Sequence, residues 1–280
     1  MKETAFKWLF AGLAGLAVAA VGTICLFLFA EGAPAIGKIG LGAFLGGTSW
    51  RPQENVFGIL PMIAGSGAIT LGAALIGVPV GIFAAVFLAA FCPERLGRLV
   101  RPAVNLMAGI PSVVYGFFGL MVIVPFVRDA FGGRGMCVLS AALLLALMIL
   151  PTIVVVSEAA LKAVPKSYYE GALALGATRE RSIFFVVLPA AKSGVLAAVV
   201  LGIGRAIGET MAVIMVAGNQ PVMPQSILKG VRTLTTNVVL EMGYSADLHR
   251  EALIATALVL FTVTLVLNVG LSFARRRGNA

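Results

Sequence analysis

Residues 169–189, YEGALALGATRERSIFFVVLP, decide how the rest of the chain is read. The stretch is a polar interruption, carrying Glu170, Arg179, Glu180 and Arg181, between two long apolar segments. Within it Glu170, Gly171, Ala172, Gly176, Val186, Leu188 and Pro189 keep the spacing E-x-A-x3-G-x9-x-x-L-P. The pattern predicts a short helix over 166–175, entered through Pro165, with Ser167 as N-cap and Glu170 three residues on. Gly176 supplies a sharp turn, and a second helix starts near Thr178 with Glu180 in its first turn, where a carboxylate meets the positive helix end. A helix–glycine–helix elbow is a rigid knob that can transmit another subunit's motion. Tyr168, Tyr169, Ala172 and Leu173 would fill a partner's groove, and Glu170 would offer a charged contact. The plainer alternative is an amphipathic loop lying on a membrane; the specific spacing favours the elbow.

The flanking chain is built for lipid. Of 280 residues, 60% are hydrophobic and 12% charged, against about 25% charged in a soluble domain. Six apolar segments, at about 8–30, 58–91, 103–127, 136–157, 191–217 and 252–273, each approach or exceed the roughly 20 residues that span a bilayer. The first is longer than a typical signal-peptide core and no convincing small-x-small cleavage site follows, so it reads as a retained helix. With the N-terminus placed in the cytoplasm, 13 of the 21 Lys and Arg residues fall on the cytoplasmic side, 7 on the outside, and Arg205 within a span. That asymmetry satisfies the positive-inside rule with both termini inside, and it puts the 158–190 loop on the side where ATP is. The net charge of +9 therefore reads as membrane orientation and not as nucleic-acid binding.

Residues 31–57 and 218–251 form the two large outer loops, the second with a short helix over 226–242, and Trp50 reads as an interfacial anchor. These loops are the natural surface for an external partner. Gly77-x-x-x-Gly81 and Gly204-x-x-x-Gly208 allow close helix packing, more simply within the subunit than across a dimer seam. Pro79, Pro111, Pro125 and Pro151 are expected to kink or break helices. Arg95, Arg98 and Arg101 form a basic stripe suited to anionic lipid, as do Arg275 to Arg277. Cys25, Cys92 and Cys137 show no paired spacing and read as small hydrophobes, and a lone His249 makes no histidine metal site.

An enzyme reading has little support. No GxxxxGK[ST] loop is present, so the chain has no phosphate cradle with which to hydrolyse ATP, and no Ser/His/Asp set or CxxC occurs. The charged pair in the fifth segment, Arg205 and Glu209 in GIGRAIGET, is the second chemical signal. Each charge costs about 2.5–3.5 kcal/mol in mid-membrane. At i, i+4 the two can offset each other on one helix face, though Arg before Glu is the weaker order. A guanidinium left partly free matches a tetrahedral oxyanion bidentately, and Thr210 could add a hydroxyl. An interhelical bridge holding the bundle is the alternative; the anion path is preferred.

The 170–189 spacing resembles the EAA cytoplasmic loop of ABC-importer permeases, with Gly171 for the usual Ala and Val186 for the usual Ile. The likeness extends through ENVFGILPMIAGSGAITLG at 54–72, AGIPSVVYGFFGL at 108–120, the 186–221 segment around GRAIGET, and VRTLTTNVVLEMGY at 231–244. Over about residues 55–272 the chain resembles the PstC-type permease of the bacterial phosphate importer, a binding-protein-dependent transport system. The PstA-type subunit shares the Arg-Ala-x-Gly-Glu core, so the surrounding text carries the distinction. The resemblance implies an all-α integral membrane protein with six transmembrane helices in the type I, MetI-like permease fold. Residues 1–57 are read as a first helix and outer loop, 58–273 as the permease domain with its coupling loop at about 165–189, and 274–280 as a basic cytoplasmic tail. The resemblance assigns ATPase coupling to Tyr169, Glu170, Gly171, Ala172, Leu173, Gly176, Leu188 and Pro189, and the anion route to Arg205 and Glu209.

The same resemblance implies a PstA-type permease as heterodimer partner, two ATPase subunits at the cytoplasmic face and a periplasmic phosphate-binding protein. The setting is the bacterial inner membrane and its lipid, with no nucleic acid. This chain would bind no cofactor, ATP and Mg belonging to the partner ATPase. Inward phosphate transport is the expected function. A permease for another oxyanion, such as molybdate or sulfate, is the nearest alternative, and an ATP-independent anion transporter the more distant one.

Overall fold

The computed structural model describes residues 2–277, with side chains over residues 6–270. Helix α1 (Lys2–Ile39) is followed by α2 (Leu41–Gly46) and a two-stranded hairpin, β1 (Trp50–Arg51) and β2 (Val56–Phe57). Next come α3 (Leu60–Val86), α4 (Glu94–Gly109), α5 (Ser112–Phe118), α6 (Val124–Phe131) and α7 (Val138–Lys162). After the loop come α8 (Lys166–Ala174), α9 (Arg179–Ser182), α10 (Leu188–Ala190), α11 (Lys192–Gly208), α12 (Met211–Val216), α13 (Leu234–Glu241) and α14 (Asp247–Arg277). Among the described residues five helices are long and apolar enough to cross a membrane, and a sixth span forms if α9–α10 and α11 count together across a 71° bend. The basic tail expected at 274–280 lies outside the described side chains, and residues 278–280 lie outside the described structure altogether.

Helix α7 is the axis of the bundle. Residues Leu144, Leu145, Met148, Ile149 and Ile153 are buried on it, and α3 and α11 close on it from two sides through glycines. A Cβ at Gly77 or Gly81 would meet Ile149 or Ile153 at 2.7–2.8 Å, and one at Gly202 would meet Ile153 at 2.9 Å. Without hydrophobic drive between helices in lipid, such close backbone approach is a principal source of adhesion. The Gly77/Gly81 pair thus packs within the subunit. The Gly204/Gly208 pair does not: neither has any atom within 4 Å of an added Cβ. Helix α1 packs on α14 near Gly32, against Ala255 and Leu258, buries Ala35 in the same seam, and is mostly exposed before it.

Several segment boundaries differ from the sequence expectation for identifiable reasons. Residues 31–57 are not a loop. Helix α1 runs on through Pro34 to Ile39, and the hairpin then buries Phe57 and Trp50 against α14. The expected span 103–127 is divided at Ile110–Pro111: α4 is a separate amphipathic helix, and the span is Ser112–Phe131. A proline disfavours helical geometry in the residue before it, and Ile110 is accordingly extended (ψ 128°). In 226–242 only Leu234–Glu241 is helical, begun by a capping box between Thr233 and Thr236. Pro79 and Pro151 are accommodated inside α3 and α7.

Three helices contain a wide π-helical turn: Phe87–Phe91, Gly119–Ile123 and Ile183–Val187. In each, the last i→i+5 bond is donated by Cys92, Val124 or Leu188. The next residue is in every case a proline: Pro93, Pro125 or Pro189. Proline has no N–H and its ring collides with the carbonyl four residues back. A turn one residue wider moves that carbonyl aside for Pro125 and Pro189, which continue in helix. Pro93 follows an extended Cys92 (ψ 124°) and instead stands where its helix has ended.

At the end of the bundle far from residues 165–189, polar groups gather beneath the hairpin. Trp50 is buried and is not an interfacial anchor; its Nε1 donates to Glu241 Oε2 at 2.8 Å. Arg232 Nη1 donates to Glu241 Oε1, Arg232 Nε to the Asn219 carbonyl at 3.1 Å, and His249 Nε2 lies 2.9 Å from Glu241 Oε2. Burial alone would push the Glu241 carboxyl up, but the hydrogen bonds from Trp50, Arg232 and His249 outweigh it and hold the carboxyl below the usual range. A depressed folded-state value contributes stability that is complete above the ordinary glutamate value of about 4.3 and is lost as pH falls through the lower folded value. In a Trp8→Phe background, Trp50 fluorescence is therefore expected to hold steady from neutral pH down to that range and shift red only below it. Glu241→Gln should remove the acid step; an unchanged step would assign it to another group.

Candidate functional site

The 165–189 loop forms the elbow its glycine predicts. Helix α8 begins after Pro165, which stands at the N-cap position; Ser167 lies inside the first turn and makes no cap. The helix ends in a Schellman motif: Gly176 N–H donates to the Leu173 carbonyl at 2.9 Å and Ala177 N–H to the Ala172 carbonyl at 3.1 Å. Gly176 has φ +84°, a left-handed conformation that costs an L-residue about 1–2 kcal/mol. Thr178 caps α9 by accepting from Arg181 N–H. No residue of α8 is buried. Tyr168 and Glu170 project outward, and Leu175 at the tip is 91% exposed.

The elbow is anchored to the membrane bundle by its inner face. Tyr169, Val187 and Leu188 pack on a cluster formed by Ala85, Val86, Leu161, Ile183, Ala191 and Val195, which joins the ends of α3, α7 and α11. Tyr169, expected to face a partner, thus faces largely inward, while Tyr168 and Leu173 remain available. Arg179 adds a grip that the sequence reading missed. Its Nη2 donates to the Ala90 carbonyl, and its guanidinium lies 5.2 Å over the Phe91 ring. Arg101 Nη2 takes the neighbouring Leu88 carbonyl at 2.8 Å while Nε pairs with Glu158 at 2.7 Å. The wide turn at 87–91 frees backbone carbonyls, and two arginines satisfy them. Arg101 is therefore a structural clamp between α3, α4 and α7 and not part of a lipid-facing stripe; Arg98 pairs with exposed Glu94. Pro93, two residues beyond an apolar run, was the available signal.

At the other end of α11 the expected helix 191–217 is interrupted. Helix α11 stops at Gly208, Glu209 is extended (φ −70°, ψ 128°), and α12 begins at Met211. Because the chain is extended there, Arg205 and Glu209 do not share a helix face, and no ion pair forms between them. Glu209 instead turns forward: Oε1 accepts from Ala212 N–H at 3.2 Å, and its carbonyl accepts from Thr235 Oγ1 at 3.2 Å. Thr210 Oγ1 donates to the Gly208 carbonyl at 3.3 Å. Among the described residues Arg205, half-buried, has no hydrogen-bond or ion-pair partner. It lies within electrostatic reach of Tyr115, whose hydroxyl donates to the Met107 carbonyl. Its flank of α11 is the open one at Gly204 and Gly208. The structure thus separates a pair that sequence spacing had joined. Among the described residues no cluster of His, Cys, Asp or Glu could hold a metal ion, and all three cysteines are free.

A multi-pass bundle with one broken span and an elbow welded to its ends is the architecture of an ABC importer's permease. The methionine ABC transporter MetNI, solved in inward-facing conformations, matches with a TM-score of 0.65 over 82% of this chain and 99% of that one. At 20% identity that likeness speaks for the fold alone, and it is the all-α, MetI-like fold expected from the sequence. The chain belongs to the family of binding-protein-dependent transport system inner membrane components, which matches residues 77–277. A Bacillus subtilis (strain 168) protein named probable ABC transporter permease protein YqgH is 40% identical over 254 residues, covering 88% of this chain and 82% of that one. A Mesorhizobium japonicum protein named phosphate transport system permease protein PstC is 34% identical over 273 residues, covering 90% and 83%.

Proposed function

We propose that this chain is the permease subunit of an ABC importer that carries inorganic phosphate inward, driven by ATP hydrolysis on partner subunits. The observation that carries the cargo reading is Arg205. A half-buried guanidinium without a partner is costly in a membrane and marks a function by default. Its planar fork suits the oxygens of a tetrahedral anion. The break at Glu209 turns the nearest carboxylate away from the guanidinium and into the cap of α12, so the positive charge is not cancelled. Among the relatives, the PstC protein bears phosphate transport in its name, which supports phosphate over molybdate or sulfate.

The elbow supplies the drive. Its exposed face, with Tyr168, Glu170, Leu173 and Leu175, docks on an ATPase subunit in the cytoplasm, where ATP and Mg are bound. Its inner face moves with α3, α7 and α11 as one packed unit. Helix α11, 17 residues long, is a lever that spans about 21 Å from the bend at Ala191 to Arg205, so elbow displacement reorients the anion site. A second permease of PstA type completes the pathway along the open Gly204/Gly208 flank. A periplasmic phosphate-binding protein docks at the far end, on the hairpin and the 218–251 segment. Both termini then lie in the cytoplasm. Uptake of labelled phosphate by the co-purified complex in vesicles tests this reading: it should require ATP and resist excess sulfate and molybdate. Competition by either oxyanion would reassign the cargo, and uptake without the ATPase subunits would remove the ABC mechanism.

A further inference from the structure

We propose that a cleft behind the elbow is a binding site for a phosphate-bearing anion: the headgroup of an anionic phospholipid, or free phosphate. The cleft, about 410 Å³, lies between the elbow and the ends of α3 and α7. Its floor is apolar, with Leu161, Ile183 and Val187, and its rim carries Lys162, Lys166 and Arg179. No carboxylate lines it. Glu158, the nearest acid on α7, is almost buried and already holds Arg101 and Lys162, each at 2.7 Å. One carboxylate therefore serves two cations. Lys166 and Arg179 have no acidic partner among the described residues.

Arg179 is not a loose surface charge. The Ala90 carbonyl takes one N–H and the Phe91 ring supports the guanidinium face, which leaves most of its five donors directed by a fixed frame. Two ammonium groups and a held guanidinium above an apolar floor suit an anion with several oxygens, which phosphate provides. The cleft also lies at the ends of two helices long and apolar enough to span a membrane, and on the cytoplasmic side, where the proposed function puts the elbow, basic pockets between spans favour anionic headgroups. An acyl chain leaving the headgroup would run onto the apolar floor. Occupancy braces the elbow against α3 and α7, the contact through which the drive is transmitted.

Native mass spectrometry of the whole transporter complex, released from bilayers containing both phosphatidylglycerol and phosphatidylcholine, tests the site. The wild-type complex should retain phosphatidylglycerol preferentially. Lys166→Gln should weaken that preference about fivefold, Lys162→Gln with Lys166→Gln should weaken it further, and Lys166→Arg should restore it. Both lysines are exposed on the rim, so assembly of these variants can be checked in the same spectra. A parallel arm measures labelled inorganic phosphate bound by the lipid-stripped complex. Binding lost in Lys166→Gln but kept in Arg205→Ala places free phosphate in the cleft and leaves the transport site out of the account. If neither lipid retention nor phosphate binding changes with the lysine substitutions, the proposal is overturned.

Discussion

Arg205→Ala is expected to lower ATP-driven phosphate uptake by about 10–100-fold, the loss of one charge-assisted hydrogen bond worth about 1.5–3 kcal/mol, with the complex still assembled. Among the described residues Arg205 makes no hydrogen bond or ion pair with the bundle, so its removal strands no polar partner. Taking a free charge out of the membrane relieves a folding cost instead, and thermal unfolding should be unchanged or slightly later. Arg205→Lys should fall between, because an ammonium keeps the charge but not the fork. Phosphate uptake in vesicles, normalised to assembled complex, reads the effect. Normal uptake by the alanine variant would remove Arg205 from the anion route, whereas loss of assembly would favour an interhelical role for it.

Gly176→Pro should separate ATP hydrolysis from transport, or release the ATPase subunit. Proline fixes φ near −65°, and the chain at this residue requires +84°. The substitution also deletes the N–H that donates to the Leu173 carbonyl and so removes half of the Schellman motif. The combined cost exceeds about 3 kcal/mol, more than a nine-residue helix with no buried residue can absorb, so the elbow loses its shape. An added Cβ at Gly176 meets nothing within 4 Å, which makes Gly176→Ala a conformational test alone, expected to be milder. Glu170→Lys, with the helix intact and one exposed charge reversed, should weaken docking without deforming the elbow. The ratio of phosphate moved to ATP hydrolysed is the measurement. An unchanged ratio with the ATPase bound in Gly176→Pro would remove coupling from this loop.

Helix identity in the membrane followed from apolar length, and the elbow from one glycine and its neighbours, because both are local properties of the chain. The breaks were harder to see. The sequence GIGRAIGET supports continuous helix and an extended Glu209 equally well; what decides is Ala212 N–H and the Thr235 hydroxyl, the latter 26 residues away. Trp50 and Glu241 stand 191 residues apart, so an aromatic in a polar stretch looked like a lipid anchor when it was a buried donor. Arg101 read as one of three similar arginines because its distinguishing partners, Glu158 and the Leu88 carbonyl, lie on other helices. In each case local pattern identified the residue type and tertiary context supplied the role.

The prolines behind the wide turns have a bearing on how this chain tolerates change in length. A π-helical turn is an α-helix with one residue inserted, so removing a residue from 183–187 lets the helix close without rotating its downstream half, whereas removal elsewhere rotates that half by about 100°. The closed helix, however, would bring Pro189 back against the carbonyl four residues before it. Deletion alone is therefore harmful, and proline replacement compensates it: together they leave the packing phase of Leu188 onward intact. The Leu-Pro that ends the elbow motif is on this view a spacer and its wedge.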